Sequence, residues 1–296
     1  MGLEITSLRY HCWLKKNGTK FDTVATLGRQ AFQGLNSLTL SKTVAKFGFK
    51  MSISEAESIL TEQGGYAEPF YKWLGASSIV SFDYSSYEGA TSIWDMNLNL
   101  NQEFQGKFDF VSDGGTLEHI FNYASALREA MTLPKIGGIF LSATPANSYL
   151  GHGFYQFGPD LPFSILKPQN GYGLGGIHLI EMRNKAIFFE VLPPEKSRGR
   201  ALASTSWPAL MYFWGKRTGD IPARLTAMEP NYESVWIDNT HDERSGASKS
   251  GFLRQVSSML PNELQTDFLR LIKLGYTVCV RNAFFERNSF KPNLDI

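Results

Sequence analysis

The sequence has little cysteine and almost no net charge. Its 296 residues include two cysteines, Cys12 and Cys279, without a CxxC spacing, so they predict neither a disulfide framework nor a zinc site and favour a reducing cytoplasm. Lysine and arginine number 29 against 28 acidic residues, and a formal net charge of +1 indicates no basic surface for nucleic acid. These two shortages exclude a disulfide-stapled secreted domain and a nucleic-acid-binding protein.

Long apolar segments suited to a membrane are also missing. The longest uncharged run, residues 136–157, is interrupted by glycines and by Pro145, which are costly in a lipid-exposed helix. Near the N-terminus, Arg9, Lys15 and Lys16 break up the apolar core that a signal peptide needs. We therefore predict a cytoplasmic protein without membrane insertion.

The composition of the sequence is that of a folded protein with a hydrophobic core. Hydrophobic residues make up 43% and aromatic residues 14%, and the length fits one large domain or one domain with an extension. Four short apolar runs, residues 23–27, 78–82, 108–112 and 138–142, are typical of parallel strands covered on both faces. A helical pattern separates the last two runs, with apolar residues at Leu117, Phe121, Ala124, Leu127 and Met131.

This alternation predicts a doubly wound α/β fold with a mostly parallel, Rossmann-like sheet. Residues 177–183 and 209–216 predict an antiparallel pair at its edge. We assign residues 1–221 to this domain, with an insertion near 31–64, and residues 222–296 to a C-terminal extension packed on it. A short amphipathic helix is predicted in that extension, with Leu264, Phe268, Leu271 and Ile272 on one side.

Ligands of open parallel sheets bind beyond the carboxyl ends of the strands, so the turns there deserve attention. Gly28 follows the first strand, where it would let a ligand approach the backbone or would be an ordinary turn glycine. Asp83 follows the second strand and would accept hydrogen bonds from ribose hydroxyls or cap a helix. Asp95 and the residues after it would read an adenine edge or form an Asx turn.

Two later turns carry histidines. After the run 108–112, Asp113, Gly114 and Gly115 lead into Thr116, Glu118 and His119, where Thr116 would cap a helix and Glu118 would complement its dipole. On that account His119 is a polar first-turn residue. After the run 138–142, a loop rich in aromatic residues places His152 between two glycines, where a general base would sit.

With these residues in view, the chain resembles class I S-adenosylmethionine-dependent methyltransferases over about residues 22–217. The resemblance rests on FDFVSDGGTLEHIFNYASALREAMTLPKIGG at residues 108–138, on TPANSYLGHGFYQFGPDLPFSILKPQNG at 144–171, and on Phe82-Asp83. It implies S-adenosylmethionine as the cofactor. It places Gly28 at the methionine end and Asp83 at the ribose, Asp95 and Met96 at the adenine, and Asp113 with Gly114 beside the sulfonium.

The sequence departs from the family pattern in its first loop. Thr26 and Gln30 stand where an acid and further glycines are usual, and Arg29 would instead pair with the methionine carboxylate. The usual spacing from this loop to the ribose acid is about 20 residues. Here Gly28 and Asp83 are 55 positions apart, which requires the insertion.

The resemblance implies methyl transfer, and a hydroxyl of a sugar, a glycan or a small metabolite is the predicted acceptor. His152 is the first choice of base and His119 the second, while Tyr149 and Tyr155 are predicted to contact the acceptor. No clustered set of metal ligands is visible in the sequence, so no metal is predicted. Two alternatives stay open: a catalytically silent binding protein, and a nicotinamide-dependent oxidoreductase, although the GxGxxG loop it needs is absent. Nothing in the sequence decides the oligomeric state.

Overall fold

The computed structural model describes residues 2–183, 188–193, 207–230 and 290–293. Within them one nine-stranded sheet runs in the order β3-β2-β1-β4-β5-β8-β6-β7-β9. The strands are β1 Thr23–Leu27, β2 Ser78–Asp83, β3 Ser92–Ile93, β4 Phe108–Asp113, β5 Pro134–Asn147, β6 Tyr172–Glu181, β7 Phe188–Val191, β8 Ala209–Arg217 and β9 Phe290–Asn293. The helices are α1 Ile5–Lys16, α2 Ser37–Lys46, α3 Ile53–Thr61, α4 Glu68–Trp73, α5 Tyr123–Thr132 and α6 Asp160–Ile165.

The first five strands form the parallel half of the sheet. β1 pairs with β2 on one side and with β4 on the other, so the chain switches direction between β1 and β4. This is the order of a doubly wound fold, and such switch points hold ligands. The predicted doubly wound, mostly parallel α/β fold is therefore confirmed, and β1 has the predicted bounds.

The remaining strands are antiparallel. β8 pairs with β5 and β6, which confirms the antiparallel pair of β6 and β8 predicted from the sequence. β7 and β9 extend the sheet beyond that pair, so residues 290–293 of the C-terminal region belong to the sheet itself. Most of residues 222–296, including the predicted amphipathic helix at 264–272, lies outside the described residues.

Both faces of the sheet are covered, which explains why the strands are nearly continuous apolar runs. Successive residues of β5 alternate between two cores: Ile139 and Leu141 join the core under α1, α2, α3 and α4, while Phe140 joins the core under α5 and α6. Helix α1 is buried around much of its circumference, with Leu8, Tyr10 and five other residues inaccessible. Burial of these apolar faces contributes about 25 cal/mol per Å² removed from water.

One local prediction is corrected and one is given detail. The sequence leaves the structure of the insertion at 31–64 open, and the chain there forms α2 and α3, which begin at side-chain caps provided by Asn36 and Ser52. The helix predicted from Leu117 begins only at Tyr123, because Leu117–His119 form a separate 3-10 turn and Ile120 is extended. Thr116 consequently makes no side-chain cap.

Among the described helices, none combines the length and the apolar character needed to cross a bilayer.

Candidate active site

The turns after β1, β2 and β4 meet at one edge of the sheet. Leu27 pairs with Phe82 on one side and with Asp113 on the other, so Gly28, Asp83 and Asp113 gather around the switch point. The structure thus brings three of the predicted cofactor residues together.

Asp83 lies half-buried at the end of β2, held by backbone donors. Its Oδ2 accepts a hydrogen bond from the N–H of Arg29 at 3.2 Å, and its Oδ1 accepts one from the N–H of Tyr84 at 2.7 Å. Each carboxylate oxygen has a second lone pair for a further donor. Asp83 therefore does not cap a helix, and it retains the capacity to bind two hydroxyl groups.

Gly28 has a structural reason to be glycine. Its φ of +71° is a left-handed conformation that glycine adopts freely. A Cβ there would come within 2.7 Å of Thr116 Oγ1, which itself donates a hydrogen bond to the carbonyl of Leu27 at 2.8 Å. Thr116 thus bridges the end of β1 and the turn after β4.

Arg29 is engaged by protein groups. Its Nε donates to Glu68 Oε1 at 2.7 Å, its Nη1 donates to the carbonyl of Glu88 at 2.6 Å, and its guanidinium stacks 4.0 Å from the ring centroid of Tyr66. The predicted pairing of Arg29 with a methionine carboxylate would have to compete with these contacts.

Asp113 is fully buried and organises the turn after β4. Its Oδ1 accepts from the N–H of Thr116 at 2.9 Å, and its Oδ2 accepts from Ser142 Oγ at 2.6 Å. Burial raises the pKa of this carboxyl above its ordinary value. Gly114 packs against the buried carboxamide of Gln30, where a Cβ would lie 2.7 Å from Gln30 Nε2.

The side chain of Asp95, which is predicted to contact the adenine, is engaged by a neighbouring residue. Asp95 Oδ1 accepts hydrogen bonds from the backbone N–H of Asn97 at 2.9 Å and from its side-chain amide at 3.0 Å, which is an Asx turn. Met96 is buried in the core below this turn.

His119 and His152, the two candidate bases, lie side by side. Their ring centroids are 4.9 Å apart in an edge-to-face arrangement. The side chain of Glu118 lies fully buried beneath them, with Oε1 3.6 Å from His152 Nε2 and 3.9 Å from His119 Nε2. The sequence-based expectation of no clustered ligand set is wrong, because the loop after β5 folds back over the turn after β4 and brings these three residues together.

The environment of this cluster disfavours charge. Burial and the nearby Asp113 carboxylate raise the pKa of Glu118 to about 8, and burial lowers the pKa of His119 and of His152. Both carboxyl oxygens of Glu118 and Nε2 of His152 are buried without a hydrogen-bond partner. Such orphaned groups are unusual in a folded protein and indicate a ligand, an ion or a water.

Backbone contacts fix the cluster in place. The N–H of Phe154 donates to the carbonyl of Glu118 at 2.8 Å, and Gly153 lies so close that a Cβ would come within 2.8 Å of the same oxygen. The N–H of His152 donates to the carbonyl of Tyr149 at 3.0 Å. The glycine after His152 is therefore required for the approach of the two turns.

The two tyrosines predicted to contact the acceptor have different positions. Tyr149 lines a cavity of about 170 Å³ at the carboxyl edge, together with Gly114, Glu4 and Tyr212 among others. Tyr155 donates its hydroxyl hydrogen to the carbonyl of Phe121 at 2.6 Å and lies outside the lining of that cavity. The cavity is below the 300–1,000 Å³ of ordinary ligand sites, so it fits part of a ligand.

Glu118 is the functional candidate that the sequence reading missed. The sequence offers Glu118 only the role of complementing a helix dipole, but no α-helix begins there, and its Oε1 lies nearest the two histidines. The signal available in the sequence was the adjacency of a carboxylate and an imidazole directly after a strand.

Comparison with known proteins identifies no family for this chain. No protein-family model matches the sequence, and no curated protein matches it at a significant level. Among solved structures, the 1,6-didemethyltoxoflavin-N1-methyltransferase of Burkholderia thailandensis, with bound S-adenosylhomocysteine, is 10% identical with a TM-score of 0.39. The match covers 72% of this chain and 78% of that one.

Two further structures are similar at the same level. An S-adenosylmethionine-dependent methyltransferase of Mesorhizobium loti is 11% identical with a TM-score of 0.38, and the match covers 71% of this chain and 98% of that one. A protein of Rhodobacter sphaeroides, provisionally named a Zn-dependent alcohol dehydrogenase, is 12% identical with a TM-score of 0.37, covering 71% and 89%. At these identities and TM-scores the likeness does not decide the function of this chain.

Proposed function

We propose that this chain is an S-adenosylmethionine-dependent methyltransferase that transfers the methyl group to a hydroxyl of a sugar, a glycan or a small metabolite. The observation that carries the proposal is the position of Asp83. Its carboxylate stands at the carboxyl end of β2, beside the switch point, with both oxygens oriented by backbone N–H groups. A carboxylate in this position suits the two hydroxyls of a ribose.

The site favours a nucleoside without a pyrophosphate. Cradling a pyrophosphate takes a glycine-rich loop after the first strand. Here that turn is Gly28-Arg29-Gln30, in which the Arg29 side chain is paired with Glu68 and the Gln30 side chain is buried against Gly114. This arrangement argues against the nicotinamide-dependent oxidoreductase.

The cluster of Glu118, His119 and His152 supplies the acceptor side of the reaction. A lone pair of the acceptor oxygen forms the new C–O bond while the bond from methyl to sulfur breaks and its electrons stay on sulfur. The hydroxyl proton leaves to the site and then to water, so the products are a methyl ether, S-adenosylhomocysteine and a proton. Holding donor and acceptor in line contributes about 7–11 kcal/mol, and assisted proton removal adds about 10²–10⁴-fold.

Two measurements test the proposal. Isothermal titration calorimetry of the full chain should detect binding of S-adenosylhomocysteine and no binding of NAD. A screen of sugars, glycans and small hydroxylated metabolites with methyl-labelled S-adenosylmethionine should then identify the acceptor. Tight NAD binding without binding of either sulfur nucleoside would overturn the proposal.

The variant His152→Ala separates catalysis from binding. We expect it to bind S-adenosylhomocysteine as the unaltered chain does and to lose about 10²–10⁴-fold in turnover. Full turnover in this variant would remove His152 from the mechanism. In the unaltered chain, binding of S-adenosylhomocysteine with no methyl transfer to any acceptor class would support the silent binding protein instead.

A further inference from the structure

The buried carboxyl of Glu118 lacks a partner that its burial demands. Its side chain is 0% exposed, and within the described part of the chain neither of its oxygens makes a hydrogen bond with another residue. Leaving such a group unsatisfied costs about 1–3 kcal/mol, and more when it is charged. A buried carboxyl of this kind is expected where a bound ligand supplies the missing partner.

Two imidazole nitrogens face the same oxygen. Oε1 of Glu118 lies 3.6 Å from Nε2 of His152 and 3.9 Å from Nε2 of His119, too far for hydrogen bonds. One ligand atom from each residue lies within 4.8 Å of the others. Three ligands bound to one ion at 2.0–2.2 Å stand roughly 3.0–3.5 Å apart. To share one ion, the three ligand atoms would therefore need to move about 1 Å closer to one another.

We propose that Glu118, His119 and His152 bind one divalent transition-metal ion. Two imidazoles and one carboxylate are a donor set that suits Zn²⁺ and its first-row neighbours, and three protein ligands leave at least one position open. Mg²⁺ and Ca²⁺ prefer sites made wholly of oxygen. The ion would neutralise the buried carboxylate and engage the orphaned Nε2 of His152.

The frame around the cluster has the rigidity that a metal site requires. Glu118 and His119 belong to the turn that Asp113 anchors through the N–H of Thr116. His152 is carried by the loop whose Phe154 N–H bonds to the carbonyl of Glu118 at 2.8 Å. All three ligands are thus positioned by main-chain contacts.

The solvent side of the cluster is where the open coordination position would lie. The side chains of His119 and His152 are 45% and 35% exposed, whereas Glu118 closes the inner side. A metal ion there would bind the acceptor hydroxyl and promote loss of its proton. This role of the ion rests on the proposed function, whereas binding of the ion does not.

Metal binding is tested on the full chain without a histidine tag, after treatment with a chelator. Co²⁺ is the probe, because its visible absorption reports coordination by protein nitrogen, and Zn²⁺ should displace it. We expect saturable binding of one Co²⁺ per chain. Glu118→Gln, His119→Ala and His152→Ala should each weaken binding at least about tenfold.

Matched control variants test whether the loss of binding is specific to the cluster. His178→Gln removes a buried histidine that contacts Tyr10 on α1, and Glu103→Gln removes an exposed carboxylate, so both should bind Co²⁺ like the unaltered chain. Circular dichroism establishes that each variant is folded. No saturable binding, or the same binding in Glu118→Gln as in the unaltered chain, would overturn the proposal.

Calorimetry with S-adenosylhomocysteine on the same samples keeps the two proposals apart. Binding of Co²⁺ without binding of the nucleoside would retain the metal site and refute the methyltransferase. Binding of the nucleoside without any binding of Co²⁺ would retain the methyltransferase and refute the metal site.

Discussion

Replacing Asp83 by asparagine tests the cofactor site at its most informative point. Both carboxylate oxygens already accept one backbone N–H, and a ribose would add one hydroxyl donor to each. Asparagine keeps one oxygen and loses the charge. The variant therefore forfeits about one hydrogen bond to a charged group, worth about 1.5–3 kcal/mol, or about 10- to 150-fold in Kd.

The assay is calorimetric titration of S-adenosylhomocysteine into Asp83→Asn, into Asp95→Asn and into the unaltered chain. Asp95→Asn changes charge equally but keeps the oxygen that Asn97 uses in its turn, so we expect it to weaken binding less. Thermal unfolding of each protein measures the cost of the altered backbone contacts separately. Equal affinity in Asp83→Asn and the unaltered chain, with both folded, would refute the assignment of Asp83 to the ribose.

Three further predictions concern stability. Gly28→Ala should lower the melting temperature, because φ is +71° and the new Cβ would lie 2.7 Å from Thr116 Oγ1; an unchanged melting temperature would contradict this. Tyr155→Phe loses the hydrogen bond to the carbonyl of Phe121 and should lower the free energy of unfolding by about 1 kcal/mol. The KM for the acceptor should not change, and a raised KM would instead place Tyr155 at the acceptor. Burial lowers the pKa of His11 and His178 to about 4, so below pH 6.5 each of them binds more protons in the unfolded chain and lowers stability towards pH 4, by up to about 3 kcal/mol per residue. Glu118, whose pKa is raised to about 8, acts in the opposite direction, so urea titrations should compare the unaltered chain with His178→Gln, which should lose less stability between pH 6.5 and 4; an equal loss in both would contradict the prediction.

The strands could be predicted because burial on both faces leaves a local signature. β1 has its predicted bounds, and β2 and β4 each extend one residue beyond the predicted run, to Asp83 and Asp113. The start of α5 could not be predicted in the same way. Its apolar spacing includes Phe121, which is 74% exposed, because the preceding turn follows contacts of Asp113 rather than helical periodicity.

The candidate site was visible in the sequence as separate turns. Neighbouring parallel strands end at a common edge, which is why Gly28, Asp83 and Asp113 could be grouped in advance. The meeting of Glu118 with His152 depends on how a loop 34 positions later folds back, and no local pattern encodes that contact. Arg29 likewise finds Glu68 across an insertion whose helices the sequence reading left undefined.

The short strands at the borders of the described sheet have a consequence for self-association. A sheet grows between molecules when a border strand offers a long row of unpaired N–H and C=O groups to another chain. Here β3 offers two residues, and β9 offers four, including Pro292, which has no N–H. Proline is tolerated in border strands for this reason. Within the described sheet, strand addition from a second copy directly onto β3 or β9 would therefore gain few hydrogen bonds.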